Sequence, residues 1–540
     1  MVMSGAIGSS GDRAIGAVGP SEMFFPNATI PLLHIRLDES ALTQLQLHPR
    51  WYVTGSVIEG RRIYHDVGIH LKGNFGTFQT AENKPSLTLS FDKFVKGQKF
   101  HGLEKLHLNN SAQDPSYLSE CLCRELFASA GVPVARATHA RVEINGRDVG
   151  LYVLVEGYDK AFLRHHFKQR NGNLYDSEFR HDIIDPLKRH SGTGPNDHAD
   201  LKALAAACAE SGPDIRLAKI GSILDLDRFY SFLALELMIG HFDGYAQAVN
   251  NYWVYHDPGS GKLVFLPHGM DQICPQPQTS LFPELKGILA QAVLETAEGR
   301  RKFREYCTLL FTNHFSGLSN RVEQLRQRIR PELAKLGANA VAQHDRAAAA
   351  LQQRIIQRME DLRKQLLVPP PSLTILSPAR EVVLTNWLGN VDKGWAKLSE
   401  KAAQNGTKIL QALVEARGAT DETTTGADTH AREEGAAEVT AEAVWETRVL
   451  LPAGQYRILA RIAADQPVFR GPDLPIVVKL WGGRDLQFES TREDAQHLAV
   501  AHTFELTSEA PEEVLVQFKL QSSGDPIVFD VGPVRLLRVE

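Results

Sequence analysis

The pattern of apolar positions divides the chain into a mixed first part and a last part made of short strands. Before residue 160, apolar residues often alternate with polar ones, as at Leu87, Leu89 and Phe91, and this predicts strands. Between residues 160 and 368, three- and four-residue spacing predicts helices, of which the longest covers 345–366. Pro369-Pro370-Pro371 ends that helix, so we place a domain boundary there.

Beyond this boundary, short apolar segments separated by turns predict a second domain. The predicted strands cover 373–375, 382–384, 445–451, 455–462, 476–481, 499–506, 513–520 and 527–536. Many short strands at this spacing are typical of a β-sandwich. Residues 418–434, rich in Thr, Gly, Asp and Glu, predict a mobile acidic loop. The predicted fold class is therefore α+β, with a jelly-roll-like β-sandwich at the C-terminal end.

A chain of 540 residues is long enough for two or three domains. Residues 1–25 begin with a stretch rich in Gly, Ser and Ala, and we predict that they form a disordered lead. This stretch contains no compact apolar segment of the kind that a signal peptide has. The predicted organisation is thus a lead (1–25), a mixed domain (26–368) and a β-sandwich domain (369–540).

Composition and charge exclude several classes of function. The 59 basic and 64 acidic residues leave a net charge of −5, which gives no general electrostatic reason to bind nucleic acid or an anionic membrane. No apolar run approaches the roughly 18 residues of a membrane span. The five cysteines are odd in number and sparse, so they predict neither a disulfide framework nor a zinc site.

One stretch combines two acids and an amide around a predicted hairpin. Asp243 follows an apolar helix, and Asp271 follows the return strand, residues 262–267. The turn Asp257-Pro258-Gly259-Ser260-Gly261 brings Asp243, Asn251 and Asp271 towards one end of the hairpin. Two carboxylates and an amide suit a divalent cation and a phosphate. Taken singly, Asp243-Gly244 is also an ordinary turn pair, and Asp271 alone also fits a helix cap.

Three further features lie before residue 160. The segment 72–77, K-G-N-F-G-T, is a glycine-containing turn whose backbone N–H groups can lie over phosphates, although most such turns are only turns. Lys84 stands at the mouth of the half-buried strand predicted over 86–91, where most lysines are simply solvated. Glu156 ends the second strand of a hairpin built on the turn Asn145-Gly146.

Seven sequence motifs in a fixed order resemble those of one protein family. They are G-I-H-L-K-G-N-F-G-T, N-K-P-S-L-T-L-S-F-D-K-F, K-L-H-L-N-N-S-A-Q-D-P-S-Y-L, E-I-N-G-R-D-V-G-L-Y-V-L-V-E, G-N-L-Y-D, D-G-Y-A-Q-A-V-N-N-Y-W-V-Y and F-L-P-H-G-M-D-Q. With them, residues 28–365 resemble the CotH family of atypical protein kinases, named after a bacterial spore-coat protein. The resemblance implies a kinase-like fold and phosphoryl transfer from ATP, with Mg²⁺ or Mn²⁺, to Ser or Thr of a protein acceptor.

The resemblance also implies a role for each candidate residue. Asp243 corresponds to the catalytic acid that orients the acceptor hydroxyl, and Asn251 and Asp271 correspond to the metal-binding pair. The residues implied in nucleotide binding are Lys72, Gly73, Asn74 and Gly76 of the glycine-containing turn, the strand lysine Lys84, and Glu156. The chain departs from the family in two places. Gly269 replaces an acid of the frequent pattern P-W-D-x-D, and Lys72 replaces an arginine.

Two other hypotheses remain open beside the active protein kinase. The missing acid at Gly269 favours a non-catalytic, nucleotide-binding pseudokinase or structural surface protein, and a kinase for a non-protein acceptor is a third reading. The predicted β-sandwich contains no catalytic set of residues, so we interpret it as a module for binding a carbohydrate or a surface partner. The resemblance suggests an extracellular or cell-surface location, although the recorded N-terminus does not read as a signal peptide.

Overall fold

The computed structural model describes most of the chain up to residue 368 and separate segments after it. The described residues are 20–26, 29–74, 76–368, 371, 374, 376, 381–393, 395–402, 408–415, 441–466, 468, 476–480, 489–492, 496–506, 512–522 and 525–539. The predicted acidic loop, 418–434, and residues 1–19 of the predicted lead lie outside the described residues.

The first part of the chain is a closed barrel of seven strands. Its elements are α1 (Pro20–Phe24), β1 (Leu32–Arg36), α2 (Glu39–Leu47), β2 (Val53–Glu59), β3 (Arg62–Lys72), β4 (Ser86–Ser90), β5 (Lys105–Asn109), α3 (Ser119–Ser129), β6 (Ala137–Ile144) and β7 (Arg147–Glu156). The strands follow the order β1-β2-β3-β4-β5-β7-β6, and parallel pairing of β1 with β6 closes the barrel. Leucines at alternate positions, such as Leu71, Leu87 and Leu108, fill its interior.

Two expectations for this part need correction. Residues 20–24, assigned to the disordered lead, form α1, and Phe24 of that helix is buried in the barrel core. Strand β4 was expected to be half-buried, but Ser86, Thr88 and Ser90 are buried as well as its leucines. The outer face of this strand is therefore covered by the rest of the molecule.

The second part is mainly helical and surrounds a small sheet. Its elements are α4 (Lys160–His166), β8 (Leu174–Asp176), β9 (Lys188–Ser191), α5 (Ala199–Cys208), α6 (Pro213–Ile223), α7 (Leu226–Met238), α8 (Tyr245–Ala248), β10 (Tyr252–Asp257), β11 (Lys262–Pro267), α9 (Ile288–Leu294), α10 (Ala297–Leu310), a π-helix (Phe311–Phe315), α11 (Leu318–Ala334) and α12 (Ala338–Leu367). The four strands lie in the order β11-β10-β8-β9. The predicted hairpin is β10–β11, with Tyr252 opposite Pro267 at its site end.

The apolar helix α7 forms the centre of this second core. Ten consecutive residues from Phe229 to Met238 are buried, because the helix is surrounded by α3, α10 and β11. The wholly buried Arg358 of α12 donates hydrogen bonds to the carbonyl oxygens of Leu237 (3.0 Å) and Met238 (2.9 Å). These bonds satisfy the C-terminal end of α7, so the helix ends at a fixed place just before Asp243.

The third part contains only strands among its described residues. They are β12 (Glu381–Val383), β13 (Leu388–Lys393), β14 (Trp395–Ala402), β15 (Lys408–Glu415), β16 (Ala441–Leu451), β17 (Gly454–Ala464), β18 (Ile476–Leu480), β19 (Glu489–Arg492), β20 (His497–Leu506), β21 (Glu512–Ser522), β22 (Ile527–Val531) and β23 (Arg535–Arg538). One sheet has eight strands and the other has four, in the order β13-β16-β21-β18. Both contribute to one core, which includes Leu410 and Trp445.

The prediction of a single strand over 527–536 is wrong in one respect, because the structure divides this range into β22 and β23. Gly532 and Pro533 lie between them, and proline cannot continue the ladder of a central strand. Strands β13, β14, β15 and β19 were not predicted. In the described part of the chain, no helix combines the length and apolar character needed to cross a membrane.

The four-stranded sheet packs against the helical part through buried ion pairs. Arg300 of α10 donates to Glu513 of β21 (Nε–Oε2 2.7 Å), and both side chains are buried. The hydroxyl of Ser280 donates to Glu446 of β16 (3.2 Å). Removing one partner of a buried pair leaves an uncompensated charge, so these contacts resist separation of the two parts.

Candidate active site

The site end of the β10–β11 hairpin brings Asp243 and Asn251 into direct contact. The Asn251 amide donates to Asp243 Oδ2 (2.7 Å) and to the Asp243 carbonyl oxygen (2.9 Å). The neighbouring Asn250 amide donates to Asp243 Oδ1 (3.1 Å). Both carboxylate oxygens are thus oriented by neutral amides while the side chain stays exposed. An oriented, accessible carboxylate is the group required to accept a proton from, or align, an attacking hydroxyl.

A buried carboxyl group anchors the loop that carries Asp243. Glu236 of α7 accepts hydrogen bonds from the backbone N–H groups of Tyr245 (2.7 Å) and Ala246 (2.9 Å). Burial raises the pKa of Glu236 to about 8. A Cβ at Gly244 would lie 2.1 Å from Glu236 Oε1, so glycine is required there for close approach to this carboxyl. The D-G pair is therefore more than turn chemistry.

Left-handed backbone conformations cluster around this loop. Val249 (φ 54°), Asn251 (φ 52°) and Cys274 (φ 49°) all have positive φ, and Val249 is β-branched. Such conformations cost about 1 to 3 kcal/mol each and persist where the surroundings hold them, often at functional sites. These strained residues lie before β10 and after β11. Their concentration around the site end of the hairpin agrees with a functional role for this segment.

Asp271 lies four residues after β11 and faces the barrel. The pKa of its carboxyl is raised to about 7, mainly by burial and also by the nearby charges of Glu120 and Asp114, against the opposing effect of Lys72. Among the described residues, no other side chain donates a hydrogen bond to Asp271. A carboxylate that is destabilised and lacks side-chain donors is well suited to receive a cation.

The protein supplies only part of the ligand set that a metal ion would need at this site. No group of three or more His, Cys, Asp or Glu side chains within the described residues is arranged to hold a metal. Mg²⁺ usually takes one or two protein carboxylates and completes its shell with phosphate oxygens and water. Asp271 and the oxygen of Asn251 fit that pattern, so they would hold Mg²⁺ together with a nucleotide.

Lys72 occupies the last position of β3, at the start of the glycine-containing turn. Its ammonium group donates to Asn109 Oδ1 (2.6 Å). Burial lowers the pKa of Lys72, and the charges of Glu120 and Asp271 oppose that effect. Lys72 therefore lies within electrostatic reach of Asp271.

Lys84 lies at the mouth of β4, where the sequence placed it. It lies two residues before β4, and its ammonium group donates to the Tyr117 hydroxyl (2.8 Å). The ammonium also lies 4.6 Å from the ring centre of Tyr117 and 5.1 Å from that of Tyr152. Burial lowers the pKa of Lys84 to about 8. Lys72 lies within a strand, whereas Lys84 precedes one. The role of Lys84 in nucleotide binding stays a prediction.

The glycine-containing turn is held by residues that were not singled out from the sequence. Gly73 (φ 98°) and Gly76 (φ 75°) have the backbone conformation that favours glycine, and Phe75 lies outside the described residues. Arg50 donates to the Asn74 side chain (3.1 Å) and to the Gly73 carbonyl oxygen. Asn110 donates to the carbonyl oxygens of Thr77 and Lys84, each at 3.0 Å.

The pattern that might have revealed Asn110 is the motif K-L-H-L-N-N-S, in which two consecutive amides follow an alternating strand. Such a pair at a strand end is also common in ordinary turns. Arg50 carried no local signal, because it contacts the turn from a loop more than 20 residues away in sequence.

The carboxylate of Glu156 is not free. Its side chain is buried and takes hydrogen bonds from Arg136, through Nε (2.9 Å), Nη2 (2.6 Å) and the backbone N–H (3.2 Å). Arg136 in turn donates to the Ser21 carbonyl oxygen (3.3 Å). The observed contacts of Glu156 are those of a structural ion pair, and its assignment to nucleotide binding stays a prediction.

The Asn251 side chain fills the space beside the Cα of Gly269. A Cβ at position 269, where φ is 60°, would lie 2.3 Å from Asn251 Oδ1 and 2.5 Å from its Cγ. We therefore expect Gly269→Asp, which restores an acid of the family pattern, to displace Asn251 from Asp243. The expected result is a loss of about 1 to 3 kcal/mol of stability and at least a tenfold slower phosphate transfer.

Gly261→Asp is the matched control for this substitution. Gly261 also has a positive φ of 69° and lies at the opposite end of the same hairpin, but nothing lies within 4 Å of an added Cβ. Both variants share the backbone strain, so thermal unfolding and transfer rates measured side by side isolate the contact with Asn251. A Gly269→Asp variant that transfers phosphate faster than the wild type would contradict this account.

Comparison with known proteins was consistent with this geometry. A family model described as CotH kinase protein matches residues 69–367, more than half of the chain. Invasin CotH2 of Rhizopus delemar is 24% identical over 359 residues, covering 58% of this chain and 59% of that protein. Inner spore coat protein H of Bacillus subtilis is 22% identical over 302 residues, covering 51% and 82%.

One solved structure of a kinase is also similar at a low level. The crystal structure of the Helicobacter pylori proinflammatory kinase CtkA is 11% identical and covers 55% of this chain and 96% of that one, with a TM-score of 0.26. We draw no conclusion about the fold from a score of this size. Since this chain spans 59% of the length of Invasin CotH2, the activity and partners of that whole protein are not assigned to it.

Proposed function

This chain belongs to the CotH kinase family, and from that premise we propose that it is an ATP- and Mg²⁺-dependent protein kinase. The proposed reaction transfers the γ-phosphate to a Ser or Thr hydroxyl of a protein acceptor. The observation that carries the proposal is the contact between Asp243 and Asn251 at the end of the hairpin, with Asp271 within electrostatic reach of Lys72.

Each group in this set has a chemical task in phosphoryl transfer. The reaction needs little covalent help from the protein, but it needs the phosphate charge to be neutralised and the acceptor to be aligned. Asp243 aligns the acceptor hydroxyl and takes its proton. Lys72 and the backbone N–H groups of the glycine-containing turn bind phosphate oxygens. Asp271 and Asn251 hold Mg²⁺ or Mn²⁺, which when bound neutralises charge on the phosphate groups.

We further propose that the C-terminal strands form a β-sandwich that acts as a binding module. The common core of the two sheets and their antiparallel pairing support this reading. The four-stranded sheet already contacts α10 through the Arg300–Glu513 pair. A carbohydrate or a surface partner would therefore bind elsewhere on the module.

Phosphate transfer from labelled ATP tests the proposed function. The full chain is incubated with γ-labelled ATP and Mg²⁺ or Mn²⁺, and we expect label on the chain itself and on an added acidic protein. Label must be lost when EDTA removes the metal. The Asp243→Asn variant, purified in parallel, measures transfer by contaminating kinases.

Two negative results lead to different conclusions. Metal-dependent ATP binding without transfer would contradict the kinase and favour the nucleotide-binding pseudokinase, for which the replacement of an acid by Gly269 is the specific observation. A folded chain that neither binds ATP nor transfers phosphate would contradict the assignment of the site as a whole. Transfer to small molecules or lipids but to no protein would leave the chemistry in place and change only the acceptor class.

A further inference from the structure

The Lys72 ammonium group reaches the buried Glu120 only through an amide. Lys72 Nζ donates to Asn109 Oδ1 (2.6 Å), and the Asn109 Nδ2 group donates to Glu120 Oε2. Glu120 lies on α3, and Asn109 is the last residue of β5. The three side chains thus form a relay from the strand end to the helix, in which the amide faces a cation on one side and an anion on the other.

The charge of Glu120 is already balanced inside this relay. Arg124, one turn later on α3, donates to Glu120 Oε1 through Nη2 (2.7 Å) and Nε (3.3 Å), and both side chains are buried. Arg124 also donates to the Ala135 carbonyl oxygen (2.9 Å), which fixes its position. Burial alone would raise the pKa of Glu120, but Arg124 and Lys72 outweigh burial and hold that pKa below its ordinary value.

Lys72 is therefore held in place without being neutralised by a direct ion pair. A hydrogen bond from an ammonium group to an amide oxygen is weaker than one to a carboxylate, because only one partner carries charge. An ammonium group has three donors, and Asn109 takes one of them. Two donors and most of the positive charge remain for an anion.

We propose that Asn109 is a positioning residue of the nucleotide site, which aims the Lys72 ammonium group at the phosphates and leaves its charge available to them. This inference rests on the proposed function, since it assumes that a nucleotide binds beside Lys72. Asn109 itself is not expected to contact the reacting atoms. It acts through Lys72, and its neutral amide is the feature that matters.

Asn109→Asp is the decisive substitution, because it keeps the shape of the side chain and adds one negative charge beside Lys72. Affinity is measured on the full chain with Mg²⁺ and a fluorescent ATP analogue, and KM and kcat are measured by labelled transfer. We expect the Kd and KM for the nucleotide to rise at least tenfold, with kcat changed less than threefold. Asn83→Asp is the control, since Asn83 is exposed in the loop between β3 and β4 and its amide donates to the Thr80 hydroxyl (3.3 Å) instead of contacting Lys72.

The same substitution is then made in a Lys72→Met background. If Asn109 acts through Lys72, the effect of Asn109→Asp on nucleotide affinity should fall below about twofold there, as a double-mutant cycle requires for coupled residues. An equal effect in both backgrounds would show a merely structural role and overturn the proposal. So would an Asn109→Asp variant whose affinity stays within twofold of the wild type.

A second variant protects the test against misfolding. Asn109→Leu removes the relay without adding charge, and we expect a three- to tenfold higher Kd in the wild-type background and no change in the Lys72→Met background. A folded wild-type chain that binds no nucleotide would contradict the proposed function itself. That outcome differs from a wild type that binds nucleotide but is indifferent to residue 109, which would contradict only this inference.

Discussion

Asp243→Asn is expected to lower the rate of phosphate transfer by about 10³-fold, equivalent to about 4 kcal/mol of transition-state stabilisation. The substitution keeps the size of the side chain but removes the group that takes the acceptor proton. Asp243 is exposed, and its partners are the amides of Asn250 and Asn251. An asparagine at 243 keeps one acceptor oxygen for them, so the loop should stay folded and nucleotide affinity should change little.

The control for this prediction lies at the other end of the same hairpin. Asp257 accepts hydrogen bonds from the Gly259 N–H (3.0 Å) and the Ser260 hydroxyl (2.9 Å), and asparagine can fill the same turn role. Asp257→Asn therefore makes the same chemical change with no expected effect on transfer. Labelled transfer, KM for ATP and thermal unfolding are measured for both variants. A large rise in KM with unchanged kcat would show that Asp243 binds the nucleotide instead of aligning the acceptor.

The local parts of the fold follow from the sequence, and the closure of the barrel does not. The β10–β11 hairpin was predicted within a residue, because its turn residues and alternating strands are adjacent in the chain. The parallel pairing of β1 with β6 joins segments about 100 residues apart. No local pattern encodes such a pairing, since it depends on which strand edges remain free after the hairpins form.

The candidate site divides in the same way. The contact of Asp243 with Asn251 was predicted because both precede the first strand of one hairpin, eight residues apart. The relay through Asn109 was not, because it joins β3, β5 and α3, and a polar residue at a strand end reads as a turn residue. The role of Glu156 in nucleotide binding stays a prediction. Its motif suggested a nucleotide contact, whereas the structure pairs it with Arg136, a residue that has no pattern of its own.

Asp271→Asn is expected to raise the Kd for Mg²⁺-nucleotide by about 100-fold or more, which corresponds to at least about 2.7 kcal/mol. The carboxylate is the one acid that we assign to the metal, so an amide in its place removes both its charge and a ligand oxygen. In the wild type, Mg²⁺ with ATP should raise the unfolding temperature, because it binds only the folded chain. That increase should be absent in Asp271→Asn, and a retained increase would contradict the assignment.

The same variant should be more stable than the wild type when no metal is present. Burial and the charges of Glu120 and Asp114 raise the pKa of Asp271 from 3.8 to about 7, so ionising this group costs stability in the folded state only. The cost is small at pH 4, close to the unfolded pKa of 3.8, and it is nearly complete at pH 7 and above. We expect Asp271→Asn to gain on the order of 2 kcal/mol at pH 8 and almost nothing at pH 4. A structural carboxylate would give a loss instead, so thermal unfolding at the two pH values separates a residue held ready for a cation from one that holds the fold.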